Sequence, residues 1–185
     1  MRIMRQLISL LVENKPGALM RVAGVLTARG YNIESLTVAK TLDPSLSSMT
    51  IVVDVDPAMR ELLIKQITRL INVVKATDLT GSQAVCRELA LLKVTVSPDM
   101  RPGLLKEADI FRARVVDAAP TSYTLEVTGA SEKLDALIEL LHNYGEVEMI
   151  RSGSMAMERS PKHSHREAFE EASRVSGKPA AAVKS

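Results

Sequence analysis

Apolar residues in this chain recur with the period of a strand, then of a helix, in the order strand–helix–strand–strand–helix–strand, twice over. In the first half, Leu7-Ile8-Ser9-Leu10-Leu11-Val12 reads as a strand that is apolar on nearly both faces. Leu19, Val22, Ala23 and Leu26 follow at the spacing of a helix stripe, which Gly30 ends in a left-handed cap. Residues 31–39 read as a second strand, Asp43-Pro44-Ser45 as a turn, and Met49, Ile51, Val53 and Val55 alternate along a third strand. Pro57 falls in the first turn of a second helix that carries Met59, Leu62, Leu63, Ile67 and Leu70 inward, and residues 73–79 close the unit. Each strand–helix–strand crossover is right-handed, so the two together build four antiparallel strands with both helices on one face. The predicted fold is α+β, a ferredoxin-like βαββαβ unit.

The second half repeats the pattern without repeating the sequence. Strands are predicted over residues 89–96, 114–118, 123–128 and 146–150, with a weakly patterned helix over 104–110. A second helix carries Leu134, Leu137, Ile138 and Leu141, with Ser131 as its predicted cap and Gly145 beyond its end. Two ferredoxin-like domains in tandem follow, over residues 1–80 and 84–157. Residues 158–185 read as a polar, disordered tail in which 166–175 could form a short solvated helix.

Composition narrows the function. Hydrophobic residues make up 46% of the chain but aromatics only 3%, so both cores must be aliphatic. A ferredoxin-like sheet that binds RNA needs aromatics on its central strands. Neither Phe111 nor Phe169 falls on a central strand of the first unit, and the net charge is only +2. Nucleic-acid and membrane-surface partners are therefore not expected. No apolar run reaches the roughly 20 residues that span a bilayer, and the first six residues lead directly into a strand with no signal-peptide pattern. The single cysteine, Cys86, fits a reducing cytoplasm and, with no histidine nearby in sequence, a packing role.

Candidate chemistry is sparse. His163 and His165 are too few to close a metal site, and His142 lies far from them on the exposed side of a helix. Asp54 and Asp56 alternate with Val53 and Val55 and read as the polar side of a sheet edge or end, and Glu167, Glu170 and Glu171 as a solvated face. No catalytic residues and no metal ligands are expected. The exception is Asn14-Lys15-Pro16-Gly17-Ala18-Leu19, which opens the first helix. The first amides of a helix are unsatisfied and carry positive partial charge, which suits a carboxylate. Gly17 lets the backbone approach a ligand, and Asn14 offers both a donor and an acceptor. With Asn32 beyond Gly30, the two segments suggest a loop with an asparagine on each side that holds a small zwitterion. Taken alone, the same residues also fit an ordinary strand-to-helix turn.

Residues 11–19 and Arg29-Gly30-Tyr31-Asn32-Ile33-Glu34-Ser35-Leu36-Thr37-Val38 resemble the small, regulatory subunits of acetolactate (acetohydroxyacid) synthase. The similarity continues through 43–51, 87–94, 110–117 and 129–136 to Ile150-Arg151-Ser152-Gly153, and covers about residues 1–157. The resemblance implies an N-terminal ACT domain over 1–80 that dimerises and binds valine at the dimer interface. It implies that Asn14, Gly17, Ala18 and Leu19 of one chain hold the ligand, with Asn32 and Ile33 contributed by the partner chain. Met20 departs from the small polar residue that relatives often carry beside the site. The resemblance further implies a separate catalytic large subunit carrying thiamine diphosphate, FAD and magnesium, which this chain activates and through which valine exerts feedback inhibition of branched-chain amino-acid synthesis. This chain itself would hold no cofactor. The alternatives are an ACT-type amino-acid sensor for a different enzyme and, more distantly, a small enzyme in its own right.

Overall fold

The computed structural model describes residues 4–81 and 84–159. The first unit comprises β1 (Met4–Glu13), α1 (Ala18–Ala28), β2 (Asn32–Lys40), β3 (Leu46–Val55), α2 (Arg60–Thr68) and β4 (Val73–Asp78). Its strands pair antiparallel in the order β2-β3-β1-β4. Ile8, Leu10 and Val12 of β1 point toward the helices with Met49, Ile51 and Val53 of β3, and all six are buried. This is the ferredoxin-like sandwich expected from the spacing.

The helix faces differ from expectation by one position each. Ala18, Val22 and Leu26 are the buried residues of α1, whereas Leu19 is 39% exposed. In α2, Leu63 and Ile67 are buried and Leu62 is 40% exposed. Neighbouring helix positions differ by about 100° around the axis, so one residue separates core from surface. Pro57 opens a short 3-10 turn (Pro57–Met59), held by the Asp56 carboxylate accepting from the Ala58 N–H at 3.0 Å, so the helix proper starts at Arg60.

The second unit comprises β5 (Ala84–Val96), α3 (Arg101–Ile110), β6 (Arg114–Ala119), β7 (Ser122–Gly129), α4 (Ser131–Leu141), β8 (Gly145–Arg151) and β9 (Met155–Glu158). The order β6-β7-β5-β8 repeats the first sheet, over a core of Leu92, Val94, Leu104, Leu125, Leu134 and Leu137. Three features depart from the sequence reading. α3 begins at Arg101 rather than Leu104, yet buries only Leu104 and Ala108, which explains its weak pattern. Ser131 is not a cap: its hydroxyl donates to Glu88 Oε1 at 2.5 Å, and no side chain caps α4. β9 was not anticipated; it pairs antiparallel with the first residues of β5, Ala84 to Arg87.

The second unit sits over the helix-free face of the first sheet. Ser9, Leu11, Lys75 and Thr77 on that face share a cavity of about 230 Å³ with Ala156 and Met157 of β9. Beside it, the 152–154 turn reaches Ser35 and Thr37 of β2. This cover accounts for the apolar character of β1 on both faces: Leu7 and Leu11, directed away from the helices, are half-buried.

Candidate functional site

The loop between β1 and α1 is tied down on three sides. The Asn14 N–H donates to the Ser45 carbonyl at 2.7 Å, and Asn14 Nδ2 donates to the Pro44 carbonyl at 2.9 Å. The Glu13 N–H bonds the Asn72 carbonyl at 2.8 Å, and Asn72 Nδ2 returns a bond to Glu13 Oε2 at 2.7 Å. Arg21 on α1 donates to Asn72 Oδ1. Hydrogen bonds from Lys15 and Asn72 hold the Glu13 carboxyl below its ordinary range. The loop is therefore fixed by its own strand, by the β2–β3 turn and by the residue before β4. Asn72, the polar residue in Ile71-Asn72-Val73, is only 7% exposed, and no local sequence motif marks it.

At the centre stands Gly17 with φ 81°, in the left-handed region, as the residue before α1. No side chain caps the helix. The Ala18 N–H bonds the Lys15 carbonyl at 3.2 Å, while those of Gly17 and Leu19 meet no backbone acceptor among the described residues. A Cβ built on Gly17 would have nothing within 4 Å, so the space over these amides is open. Leu19 and Met20, the latter 72% exposed, form an apolar shoulder next to it. Because Nδ2 of Asn14 is already engaged with Pro44, its Oδ1 is the atom left to accept a hydrogen bond from a ligand.

Asn32 and Ile33 are not part of this loop within one chain. Asn32 pairs with Asp54 of β3, which pairs with Arg5 of β1, whereas the Asn14 loop continues from Glu13, opposite Leu46. Arg5 and Glu13 are eight steps apart along β1, about 27 Å of strand. The picture of one loop with an asparagine on each side is thus corrected by strand register. Asn32 is exposed and its Nδ2 lies 3.4 Å from Asp54 Oδ2; Ile33 is half-buried against the first core.

The other candidates fall elsewhere. Cys86 faces Ala156 across the β5–β9 pair, and burial pushes its thiol up, away from the reactive thiolate. His142 is exposed at the end of α4, and Phe111 packs at the edge of the second core. Asp54 lies at the end of β3, an interior strand, and Asp56 just beyond it at the head of the 3-10 turn. His163, His165, Phe169, the acidic residues 167–171 and the helix considered over 166–175 lie outside the described residues. Among the described residues no group of three or more His, Cys, Asp or Glu could hold a metal, and no helix is long and apolar enough to cross a membrane.

A sheet ordered 2-3-1-4 under two helices, with a glycine loop heading the first helix, defines the first unit as an ACT-type domain. A family model described as an AHAS small subunit-like ACT domain matches residues 8–75, and one described as the small subunit of acetolactate synthase matches residues 87–160. The chain is 46% identical over 159 residues to a probable acetolactate synthase small subunit of Archaeoglobus fulgidus, covering 86% of this chain and 99% of that one. It is 42% identical over 160 residues to the isozyme 3 small subunit of Salmonella typhimurium, covering 86% and 98%. The crystal structure of the Thermotoga maritima small subunit superposes with a TM-score of 0.75 at 37% identity, covering 85% of this chain and 98% of that one. The chain belongs to the acetolactate synthase small-subunit family.

Proposed function

We propose that this chain is the regulatory subunit of a cytoplasmic acetolactate synthase. It raises the activity of a catalytic large subunit, on which thiamine diphosphate, FAD and magnesium reside, and it confers valine feedback inhibition on branched-chain amino-acid synthesis. It has no catalytic site or cofactor of its own and no nucleic-acid or membrane partner. The observation that carries the reading is the head of α1: an uncapped helix start at a left-handed glycine with open space above it. The amides of Gly17 and Leu19 would take the carboxylate of valine, Asn14 Oδ1 its ammonium group, and the Leu19 shoulder its isopropyl group.

The register of β2 supports completion of the site by a second copy. β2 is an edge strand, with one row of backbone groups unpaired in the sheet. Its last residue, Lys40, pairs with Ser47, which pairs with Val12, so Lys40 lies at the loop end of the sheet and Asn32 at the other. A second copy aligned antiparallel along β2 about Leu36 would set its own Lys40 end, with its Asn14–Gly17 loop, beside Asn32 and Ile33 of this chain. The same pairing would bring the exposed side chains of Val38 and Leu19 toward the interface.

Two measurements test the proposal. Calorimetric titration of valine, leucine and isoleucine into the purified protein should give saturable binding of valine. Mixing with the catalytic subunit should raise acetolactate formation several-fold, and valine should then suppress it. Conversion of pyruvate to acetolactate by this chain alone would overturn the reading, and a pull-down that recovered a different enzyme would replace the partner.

A further inference from the structure

β2 touches two different things within a few residues. Asn32 and Ile33 belong to the effector site proposed above. Ser35 and Thr37 lie on the helix-free face beneath the second unit, the face opposite that of Ile33. There the Ser154 N–H donates to Ser35 Oγ at 2.9 Å, and Thr37 Oγ1 donates to the Ser152 carbonyl at 3.3 Å. Gly153 between them has φ 78°, and a Cβ on it would stand 2.8 Å from Ser35 Oγ and 3.3 Å from Thr37 Oγ1. Glycine is required here by the backbone and by the close approach alike.

The 152–154 turn is locked to the second unit in its turn. The buried Ser154 hydroxyl donates to Glu88 Oε1 at 2.6 Å, the oxygen that Ser131 at the head of α4 also reaches. Arg151 donates to Glu88 Oε2 and to Asp135 Oδ1, each at 2.5 Å. Burial would push the Glu88 carboxyl up, but the bonds from Ser131, Ser154 and Arg151 outweigh it and hold the carboxyl below its ordinary range. Between the effector residues and the contact, the β2–β3 register shifts from Ile33 to Ser35, and Glu34, in the bulge, is paired to Arg5 at 2.7 Å. A bulge bends a strand locally. A cavity of about 620 Å³ runs alongside, with Arg5, Glu34 and Ser35 on one wall and Glu88, Ser131 and Arg151 on the other.

We propose that Ser35, Gly153 and Ser154 are the joint through which occupancy of the effector site changes the seating of the second unit, with Glu88 as the positioning residue behind it. The inference rests on the reading of the Asn14–Gly17 loop and of Asn32 and Ile33 as an effector site. A ligand that fixes Asn32 and Ile33 acts on one side of the bulge, and the Ser35 hydroxyl stands on the other. A displacement there either keeps or breaks the bond to Ser154. With no room for even a methyl group between the Gly153 backbone and the side chains of Ser35 and Thr37, the turn follows as a unit with the Glu88 cluster, and so with α4 and β8. The cavity gives that movement space. Coupling of this kind is a difference in effector affinity between two seatings of the domains.

The test uses Gly153→Ala in the full chain assembled with its catalytic subunit. Calorimetry on the variant should return valine affinity within about threefold of the parent, because the substitution touches none of the ligand-facing residues, and activation of the catalytic subunit should hold within about twofold. The activity that remains at saturating valine should rise about fivefold or more, a loss within the usual range of coupling between sites. Ser35→Ala deletes the acceptor without adding bulk and should shift inhibition the same way by about threefold, and combined with Gly153→Ala it should relieve part of the larger shift. A folded Gly153→Ala protein with parental binding and a parental inhibition curve overturns the joint. Where Gly153→Ala does not fold, a parental curve for Ser35→Ala does the same. If the parent itself takes up no valine in the calorimeter, the effector reading has failed at its own step, and the joint falls with it.

Discussion

Replacing Gly17 with Asp separates a ligand-binding loop from a plain strand-to-helix turn. The fold has room for the new side chain, since a Cβ at Gly17 meets nothing within 4 Å. The backbone charges for it: φ is 81°, and a residue other than glycine in the left-handed region costs about 1–2 kcal/mol. Asp sits at the lower end of that range, so a stability loss of about 1 kcal/mol is expected, small enough for the domain to stay folded. The carboxylate would then stand at the same uncapped helix start that the ligand's carboxylate needs. Occupying the amides and repelling a second anion should weaken valine by about 2 kcal/mol or more, roughly 30-fold in affinity. Gly17→Ala supplies the control, with similar backbone strain and no charge, and should lose affinity by about threefold at most. Denaturant melts measure the first quantity and calorimetry the second. If Gly17→Asp is folded and binds valine as tightly as the parent, the amides at the head of α1 are not the carboxylate site.

The remaining expectations concern the loop anchor, the core and the buried carboxylate. Asn14→Ala removes the bond to the Pro44 carbonyl as well as the free Oδ1, and should cost about 1–3 kcal/mol of valine binding by calorimetry without adding repulsion. Leu63→Ala should destabilise by about 2–5 kcal/mol in urea melts because the side chain is fully buried, whereas Leu62→Ala, one position around the helix, should change stability by about 0.5 kcal/mol. Glu88→Ala leaves Arg151 facing a cavity; since Asp135 still pairs with it, the loss should fall near the lower end of the range for broken buried pairs, about 3 kcal/mol. The Glu88 carboxyl is held low in the folded state, so its contribution is complete above the ordinary carboxylate range and disappears as pH falls through the folded value. Melts taken from pH 7 downward should therefore show the parent losing its advantage over Glu88→Gln below about pH 4, and an advantage that persisted at low pH would refute the assignment.

What the sequence made legible follows the distance over which each feature is determined. The strands and helices were readable because their apolar periods are local, and the aliphatic composition agreed with them. The exact buried face was not, since Ala18 rather than Leu19 turns inward only once α1 is seated on β1 and β3. β9 is four residues with no alternation of its own; it is a strand because β5 extends past its own sheet and offers it a partner. Ser131 had the look of a cap, but its hydroxyl goes to a buried carboxylate 43 positions away, a choice no local rule contains. The site shows the same division. Gly17 and the open helix start were visible as a motif, and their left-handed geometry matches what the motif requires. Asn14 and Asn32 looked like neighbours because a single helix separates them, yet the ladder Asn32–Asp54–Arg5 puts them at opposite ends of the sheet. Strand register is thus what decides that one copy holds half of the proposed site at each end, and an antiparallel pair of edge strands is the arrangement that would join the halves twice over.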